Sequence, residues 1–290
     1  MTKWTLADVP WEEFDPSKVD AETVKLVRAA SLVEHNGDDY ATYLCNVFAD
    51  DPEFQSAAKI WGQEEVRHGK ALARWARMAD PSFDFESAFQ RFTDGYKLPL
   101  DADRSVRGSR TGEFVARCIV EIGTSSFYRA LGDSIDEPLL KKICALIAAD
   151  EVRHYKLFRT HMNRYLDQEG VGFFRRLLVA LSRLKETEDD ELAYAYYAAN
   201  GEQEPYNRQH FANEYMAGVF PRYRIGHVQR GMSMLLKAVG VRHDGWLNRG
   251  LSRIAYGFLR YRAWLAKNGG MPYASRSGLM ESANSVTRSS

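Results

Sequence analysis

Cysteine is scarce in this sequence, and its thiols are far apart. The 290 residues include three cysteines, Cys45, Cys118 and Cys144, and no Cys-x-x-C pair. An odd number of distant cysteines argues against a disulfide framework and fits a reducing compartment. It also leaves no cysteine pair to hold the iron of a rubredoxin-type site. We expect Cys118 and Cys144 to be core residues rather than metal ligands.

Long apolar runs are missing as well. No stretch approaches the roughly 18 consecutive apolar residues that a transmembrane helix requires. The opening segment MTKWTLADVPWEEFD lacks the apolar core of a signal peptide. The sequence therefore predicts a cytoplasmic protein that is attached, at most, to the surface of a membrane.

The chain has no net charge, because 39 basic residues balance 39 acidic ones, but the two signs are unevenly distributed. Residues 205–290 contain 13 Arg and Lys against 3 Asp and Glu, a net of +10, which leaves −10 on residues 1–204. A basic end on an acidic body favours a negatively charged partner, either an acidic protein or an anionic membrane surface. A solvated basic face without a partner is the alternative. No nucleic-acid partner is expected, and a homodimer is left open.

Strand-like alternation of polar and apolar residues is scarce too. Apolar residues instead recur three and four positions apart, a spacing that predicts an all-α fold. Helices are predicted over roughly residues 17–49, 52–78, 111–131, 136–167, 173–185 and 246–267, with a connection at 82–109 that holds one short helix. Asn36-Gly37 is a turn signal inside the first helix. Because helical spacing resumes at Tyr40, we predict one continuous helix there.

The last predicted helix separates its apolar and basic residues. Its apolar face consists of Leu247, Leu251, Ile254, Phe258 and Leu265. Arg249, Arg253 and Arg260 lie on another face. We expect the apolar face to pack on the protein and the arginines to face an acidic carrier protein or lipid headgroups. Insertion of the apolar face into a membrane is the alternative.

An internal repeat contains the residues with the most specific chemistry. The segment EEVRHGKAL at 64–72 recurs as DEVRHYKLF at 150–158, a shift of 86 residues. Glu34 and Glu121 are 87 residues apart, so each half has a Glu followed 30 or 31 residues later by Glu-x-x-His. Each half is interpreted as a pair of helices, and the two pairs would be related by a pseudo-two-fold axis.

This spacing suits the binding of two metal ions. Residues i and i+3 share one face of a helix, so each Glu-x-x-His can hold a metal from a single helix. The predicted ligands are Glu34, Glu65, His68, Glu121, Glu151 and His154. Four carboxylates and two imidazoles are the ligand set of di-iron and di-manganese carboxylate bundles, and four carboxylate charges balance two divalent cations. A structural duplication without metal is the alternative, and it would leave four carboxylates buried at high cost.

Charged residues beside the predicted ligands are repeated as well. A histidine that binds a metal usually donates its second N–H to a carboxylate. Glu64 and Asp150 each precede a predicted ligand and are candidates for this contact with the histidine of the opposite helix. Arg67 and Arg153 are predicted to pair with carboxylates across the bundle. Solvated surface charges are the alternative for all four.

The predicted architecture is a ferritin-like four-helix bundle with a C-terminal helical extension. The bundle would occupy residues 12–167, the helical extension with its basic amphipathic segments 168–268, and a disordered tail 269–290. The remaining histidines, His35, His161, His210, His227 and His243, lack partners at ligand spacing and are not expected to bind metal. Ala30, Ser31, Gly37, Ala41 and Ser125 are small residues near the predicted ligands, and they indicate either room for an apolar chain or close helix packing.

The two repeat motifs resemble those of the soluble acyl-carrier-protein desaturases. That family has Glu-Glu-Asn-Arg-His-Gly and Asp-Glu-Lys-Arg-His-Glu where this chain has EEVRHG at 64–69 and DEVRHY at 150–155. The resemblance covers roughly residues 20–165. The chain is shorter than the family, its third motif position is Val in both copies, and its tighter helix spacing is more similar to the aldehyde-deformylating oxygenases of the same superfamily.

The resemblance implies a di-iron oxidoreductase of fatty acid metabolism. Two iron ions, with manganese an alternative at one position, would reduce O2 and attack a C–H bond of a fatty acyl or similar apolar substrate. The substrate would be carried on acyl carrier protein, and a donor such as a ferredoxin would supply electrons. Thr124, three residues after Glu121, occupies the place of a family threonine beside the oxygen site and is the predicted catalytic residue.

Three other functions are compatible with the ligand pattern. They are a ferroxidase or iron-storage subunit, a rubrerythrin-like peroxidase, and a non-enzymatic membrane- or carrier-binding protein with a vestigial site. The long extension argues against a storage subunit, the missing cysteine pair against a rubrerythrin, and the six intact ligands against a vestigial site.

Overall fold

A computed structural model describes residues 4–187, 191–201, 205–241 and 245–268. These residues form an all-α fold without strands. The helices are α1 (Ala21–His35), α2 (Gly37–Val47), α3 (Pro52–Ala79), α4 (Phe85–Gly95), α5 (Arg110–Gly132), α6 (Pro138–Glu169), α7 (Phe173–Thr187), α8 (Glu191–Asn200), α9 (Arg208–Val219), α10 (Ile225–Val239) and α11 (Trp246–Lys267). The all-α prediction is confirmed.

A helical bundle is built from α1 with α2, α3, α5 and α6. The α1 and α2 helices pack along α3, α5 packs along α6, and α3 meets α6. The side chain of Asp51 caps α3 by accepting a hydrogen bond from the Phe54 N–H, and Ser109 caps α5 in the same way. Gly170 ends α6 with a left-handed backbone (φ 60°), which glycine adopts without strain. These caps fix the lengths of the long helices that carry the predicted ligands.

The first bundle helix is not continuous. The α1 helix ends at His35, Asn36 leaves the helical conformation with ψ of 13°, and α2 begins at Gly37. A Cβ atom at Gly37 would lie 2.5 Å from the carbonyl oxygen of Gly62 and 2.6 Å from Cβ of Glu65. The prediction of an unbroken helix is therefore wrong, and Asn36-Gly37 marks a real break. Gly37 serves close packing against α3 rather than leaving room for a chain.

The C-terminal helices pack on the bundle. The α8 helix lies against α1, while α7 and α10 lie against α5, and α9 contacts both α8 and α11. The sequence did not predict α8, α9 and α10. The division at residue 168 stays a prediction, and the predicted tail 269–290 falls outside the described residues. No helix in the described ranges has the length and apolar character to cross a membrane.

The prediction for the faces of α11 is wrong at two positions. Ile254 and Phe258 are 71% and 56% exposed, although the apolar face was expected to pack on the protein. Ser252 and Ala263 are buried instead. A helix pattern shows which residues share a face, but only the neighbouring helices determine which face is covered.

Candidate metal centre

Four bundle helices bring the six predicted ligands to one buried site. The α1 helix carries Glu34, α3 carries Glu65 and His68, α5 carries Glu121, and α6 carries Glu151 and His154. Each of the six residues is at most 7% exposed. The i, i+3 spacing places each Glu and His pair of α3 and α6 on the inner face of its helix. The structure therefore assembles all the residues that the repeat singled out.

The donor atoms fall into two overlapping groups. The first group contains Glu34, Glu65, His68 and Glu151. The second contains Glu65, Glu121, Glu151 and His154. Within each group, the atoms that could bind a metal lie within 4.8 Å of one another. Glu65 and Glu151 belong to both groups. With Glu65 and Glu151 common to both groups, these residues could hold two metal ions close together.

Both histidine rings present Nδ1 to this cluster. Nδ1 of His68 lies 3.3 Å from Oε2 of Glu34 and 3.2 Å from Oε1 of Glu151. Nδ1 of His154 lies 2.9 Å from Oε1 of Glu65 and 3.6 Å from Oε2 of Glu121. The imidazole nitrogens that face the cluster are therefore surrounded by carboxylate oxygens.

The other nitrogen of each ring pairs with a carboxylate of the opposite helix. Nε2 of His68 lies 3.1 Å from Oδ2 of Asp150. Nε2 of His154 lies 2.8 Å from Oε2 of Glu64. A carboxylate on Nε2 holds the proton there and leaves the lone pair on Nδ1, the form in which imidazole binds a metal. The predicted contacts of Glu64 and Asp150 are present.

The repeated arginines connect the same carboxylates across the bundle. Arg67 on α3 donates to Oδ2 of Asp150 at 3.2 Å. Arg153 on α6 donates to Oε2 of Glu64 at 2.6 Å and also to Asp150. Each arginine reaches a carboxylate across the bundle, as the repeat predicted, and each of these carboxylates also contacts a histidine. Burial opposes ionisation of Asp150, but the contacts with His68 and Arg153 together keep its pKa far below its usual range.

One aromatic residue makes this arrangement asymmetric. The indole N–H of Trp4 donates to Oδ2 of Asp150 at 2.8 Å, and its ring stacks on His68 with centroids 5.8 Å apart. On the other side, the ring of Trp61 meets His154 edge-on at 6.4 Å. Trp4 lies before the bundle helices, 146 residues from Asp150. No periodicity or motif in the sequence indicated this contact.

Burial and mutual repulsion shift the pKa values of the acidic ligands in opposite directions. Burial and the neighbouring carboxylates raise the pKa of Glu34 and Glu121 well above the usual range. Burial acts in the same direction on Glu65 and Glu151, but the close approach of the two histidine rings outweighs it and lowers their pKa values. The cluster therefore contains two carboxylates that favour the protonated form and two that favour the ionised form.

The two histidines respond to the same carboxylates. Burial lowers their pKa values, but hydrogen bonds with the surrounding carboxylates outweigh it and raise the pKa of both His68 and His154 well above the usual range. The raised pKa values favour the protonated form of both rings. A divalent cation would replace those protons, because metal ligands bind in their deprotonated forms.

Four atoms that could bind a metal lack a hydrogen-bond partner among the described residues. They are Oε1 of Glu65, Oε2 of Glu121, Oε1 of Glu151 and Nδ1 of His154. The Glu65 oxygen is close to this nitrogen, but the ring geometry does not direct a hydrogen bond to it. Buried polar atoms almost always have a hydrogen-bond partner. Three carboxylate oxygens and one imidazole nitrogen without a partner in one cluster are therefore consistent with a site for a metal cation. The oxygen and imidazole donor set suits iron or manganese.

Two hydroxyl groups contact the carboxylates of the cluster. The hydroxyl of Thr124 donates to Oε2 of Glu151 at 2.7 Å, so the predicted catalytic residue lies beside the site. The hydroxyl of Tyr128 donates to Oε1 of Glu34 at 2.7 Å. Tyr128 was not predicted, although it lies seven residues after Glu121, two helical turns along the same face. This position on the same face of α5 as Glu121 is the sequence feature from which its contact with the cluster could have been predicted.

The other histidines in the described ranges and the buried cysteines lie outside the cluster. His161 packs its ring against Phe54, and His227 pairs with Asp133 at 2.9 Å. His35 contacts phenylalanine rings, His210 lies near Glu214, and His243 falls outside the described residues. Cys118 and Cys144 are buried core residues with free thiols, as expected.

Comparison with known families agrees with this geometry. Residues 46–184, just under half of the chain, match the family described as fatty acid desaturase, which belongs to the ferritin-like di-iron superfamily. The matched segment contains five of the six predicted ligands, and Glu34 lies before it. No curated protein matches the chain. The narrower resemblance to soluble acyl-carrier-protein desaturases stays a prediction.

Proposed function

We propose that this protein is an O2-dependent di-iron oxidase or oxygenase that acts on a C–H bond of a fatty acyl or similarly apolar substrate. The observation that carries the proposal is the pair of overlapping donor groups that share Glu65 and Glu151. The match to the desaturase family over residues 46–184 supports oxidation of an acyl chain. Glu34, Glu65, His68, Glu121, Glu151 and His154 are the proposed ligands.

The residues around the cluster would hold the metals and exclude water. When bound, a pair of iron ions supplies the O2 activation that an unactivated C–H bond requires. Glu64 and Asp150 orient the histidines, and the almost complete burial of the site keeps bulk water away. The hydroxyl oxygen of Thr124 lies 2.7 Å from Oε2 of Glu151 and donates to it, and this hydroxyl is proposed to pass protons at that carboxylate.

The overall reaction requires an external reductant. In desaturation, two hydrogen atoms leave the substrate and O2 is reduced to two waters, so two further electrons and two protons must be supplied. We propose a one-electron donor protein such as a ferredoxin as their source. An acyl group carried on acyl carrier protein is the proposed form of the substrate.

The test of this function is turnover by the iron-loaded protein. The chain should consume O2 in the presence of reductant and a long-chain acyl thioester, and mass spectrometry should show loss of two hydrogens or gain of one oxygen in the acyl group. Oxidation of added Fe2+ with no change in any acyl substrate would instead support a ferroxidase. The variant Glu53→Ala is a suitable control, since Glu53 is an exposed carboxylate at the start of α3.

The role of Thr124 has its own test in the same assay. Thr124→Val should keep the iron content and lower the product formed per O2 consumed, because the hydroxyl contact with Glu151 is lost. Thr124→Ser should restore this ratio. An unchanged ratio in the valine variant would reduce Thr124 to a packing residue.

A further inference from the structure

The α11 helix turns its small residues inward and its large apolar residues outward. Toward the protein lie Ser252 and Ala263, which are buried, and Asn248, which donates to a backbone oxygen of α10. The exposed side chains are Trp246 at 78%, Ile254 at 71%, Phe258 at 56%, Tyr261 at 56% and Trp264 at 60%. A surface helix of a globular protein normally shows the reverse arrangement. Five large apolar side chains on one helix therefore lack a covering partner within the described chain.

The α7 helix shows a second uncovered apolar face. Phe174 is 77% exposed, Leu178 67% and Leu181 53%, and their spacing of four and three residues forms one stripe. Leu184 continues the stripe at 41%. Of the thirteen exposed large hydrophobic side chains in the described ranges, nine belong to α7 and α11. Both helices pack against α10. Exposed apolar surface is thus concentrated on two helices that share one neighbour.

The same two helices are strongly basic. The α11 segment contains four arginines and one lysine and no acidic residue, and α7 contains four basic residues against Glu186. Arg249, Arg253 and Arg260 are exposed beside the outward aromatic side chains of α11. We call the exposed residues of α7 and α11 together the basic–aromatic surface. Aromatic and aliphatic side chains between arginines are typical of helices that lie at a membrane interface.

We propose that the basic–aromatic surface binds the face of an anionic phospholipid bilayer. The indole and phenol rings would lie at the level of the headgroups, Ile254 and Phe258 would enter the upper acyl region, and the arginines would pair with lipid phosphates. A second copy of the chain fits this surface less well, because it would bring two strongly basic faces together. Anionic lipid supplies both the apolar environment and the opposite charge.

Vesicle binding by the full-length protein tests this inference and does not depend on the proposed enzyme activity. The protein should co-sediment with vesicles that contain phosphatidylglycerol and much more weakly with pure phosphatidylcholine vesicles. Binding to the anionic vesicles should weaken in high salt but persist in part, because salt screens the arginines and leaves the apolar contact. Brominated lipid should quench the fluorescence of Trp246 and Trp264, and this quenching should disappear in a Trp246→Phe, Trp264→Phe variant.

Matched substitutions at exposed positions test whether the outward apolar side chains of α11 make the contact with lipid. Ile254→Glu with Phe258→Glu should weaken vesicle binding by about tenfold or more, since it places charge in the apolar contact. Ile60→Glu, at a 45% exposed position on α3, should bind like the wild type. All variants should keep the wild-type melting temperature and metal content.

Three results would overturn the inference. They are no binding to anionic vesicles at low salt, unchanged binding of the Ile254→Glu, Phe258→Glu variant, and no lipid quenching of the two tryptophans. A wild-type dimer in light scattering that the same substitutions convert to a monomer, with no effect on vesicle binding, would show that the surface binds a second copy instead.

Discussion

Nε2 of His154 on α6 lies 2.8 Å from Oε2 of Glu64 on α3, while Nδ1 of the same ring faces the carboxylates of the cluster. The pairing of His68 with Asp150 repeats this relationship in the other half of the chain. The carboxylates that precede Glu65 and Glu151 in sequence thus orient the histidine of the opposite helix. This crossed pairing links the two halves of the repeat.

Loss of a crossed pairing should weaken metal binding without unfolding the protein. Glu64→Gln and Asp150→Asn should each lower metal affinity by about 10- to 100-fold, because the imidazole loses the carboxylate that fixes its orientation and proton. The measurement is a competition titration with a chelator. Glu53→Gln, an exposed change on the same helix as Glu64, is the control. Affinities equal to the wild type would show that the pairing does not tune the site.

Metal binding should release protons and strengthen as the pH rises. The pKa values of Glu34, Glu121, His68 and His154 are raised, so these groups hold protons that a cation must displace. As the pH falls through these raised pKa values, protons compete more strongly and affinity falls. The number of protons released on loading should be clearly greater than zero, because the ligands bind in their deprotonated forms. Titration calorimetry in buffers of different ionisation enthalpy gives this number, and a value near zero would contradict the assignment.

Close contact between α1 and α3 should make Gly69 intolerant of a side chain. A Cβ atom there would lie 2.5 Å from the backbone nitrogen of His35, next to Glu34, so Gly69→Ala must separate the two helices. We expect destabilisation of about 1–3 kcal/mol and lower metal affinity. Gly123→Ala is the control, because its Cβ would meet nothing within 4 Å beyond the local backbone of its own helix, and it should leave stability unchanged or raise it by about 1 kcal/mol. Equal melting temperatures for the two variants would contradict the packing argument.

Glu191 should make the protein less stable in alkaline solution. Burial raises its pKa to about 7 from an ordinary value of 4.5. Tyr40 donates a hydrogen bond to this carboxylate, and Arg183 lies 3.7 Å away. The folded state favours the protonated form, so stability is lost as the pH rises from the unfolded pKa through the folded pKa.

Glu191→Gln tests this effect, since glutamine keeps the shape without the charge. The quantity of interest is the melting temperature of the variant minus that of the wild type. This difference should be on the order of 3 °C larger at pH 8 than at pH 5. Scanning calorimetry at both values gives the comparison. The same difference at both pH values would show that Glu191 does not retain its proton on folding.

The ligand cluster could be predicted from the sequence, because its residues have the same helical spacing in both copies of the repeat. Glu34, Glu65 and His68 repeat as Glu121, Glu151 and His154, and a repeat of this kind places residues on faces without knowledge of the packing. The break at Asn36 was signalled by Asn36-Gly37, but the helical spacing that resumes at Tyr40 outweighed this signal. The contact of Trp4 with Asp150 and the outward face of α11 had no signal in the sequence. Each depends on which helix lies against which, and local periodicity does not contain that information.

Anaerobic equilibrium dialysis against Fe2+, with iron counted by mass spectrometry, tests the central claim most directly. The wild type and Glu53→Ala should bind about two ions per chain, as the two overlapping donor groups imply. Glu121→Ala and His154→Ala should lose most of that iron while they remain helical by circular dichroism. Fewer than about one ion on the wild type, or two ions retained by both ligand variants, would contradict the assignment of the site.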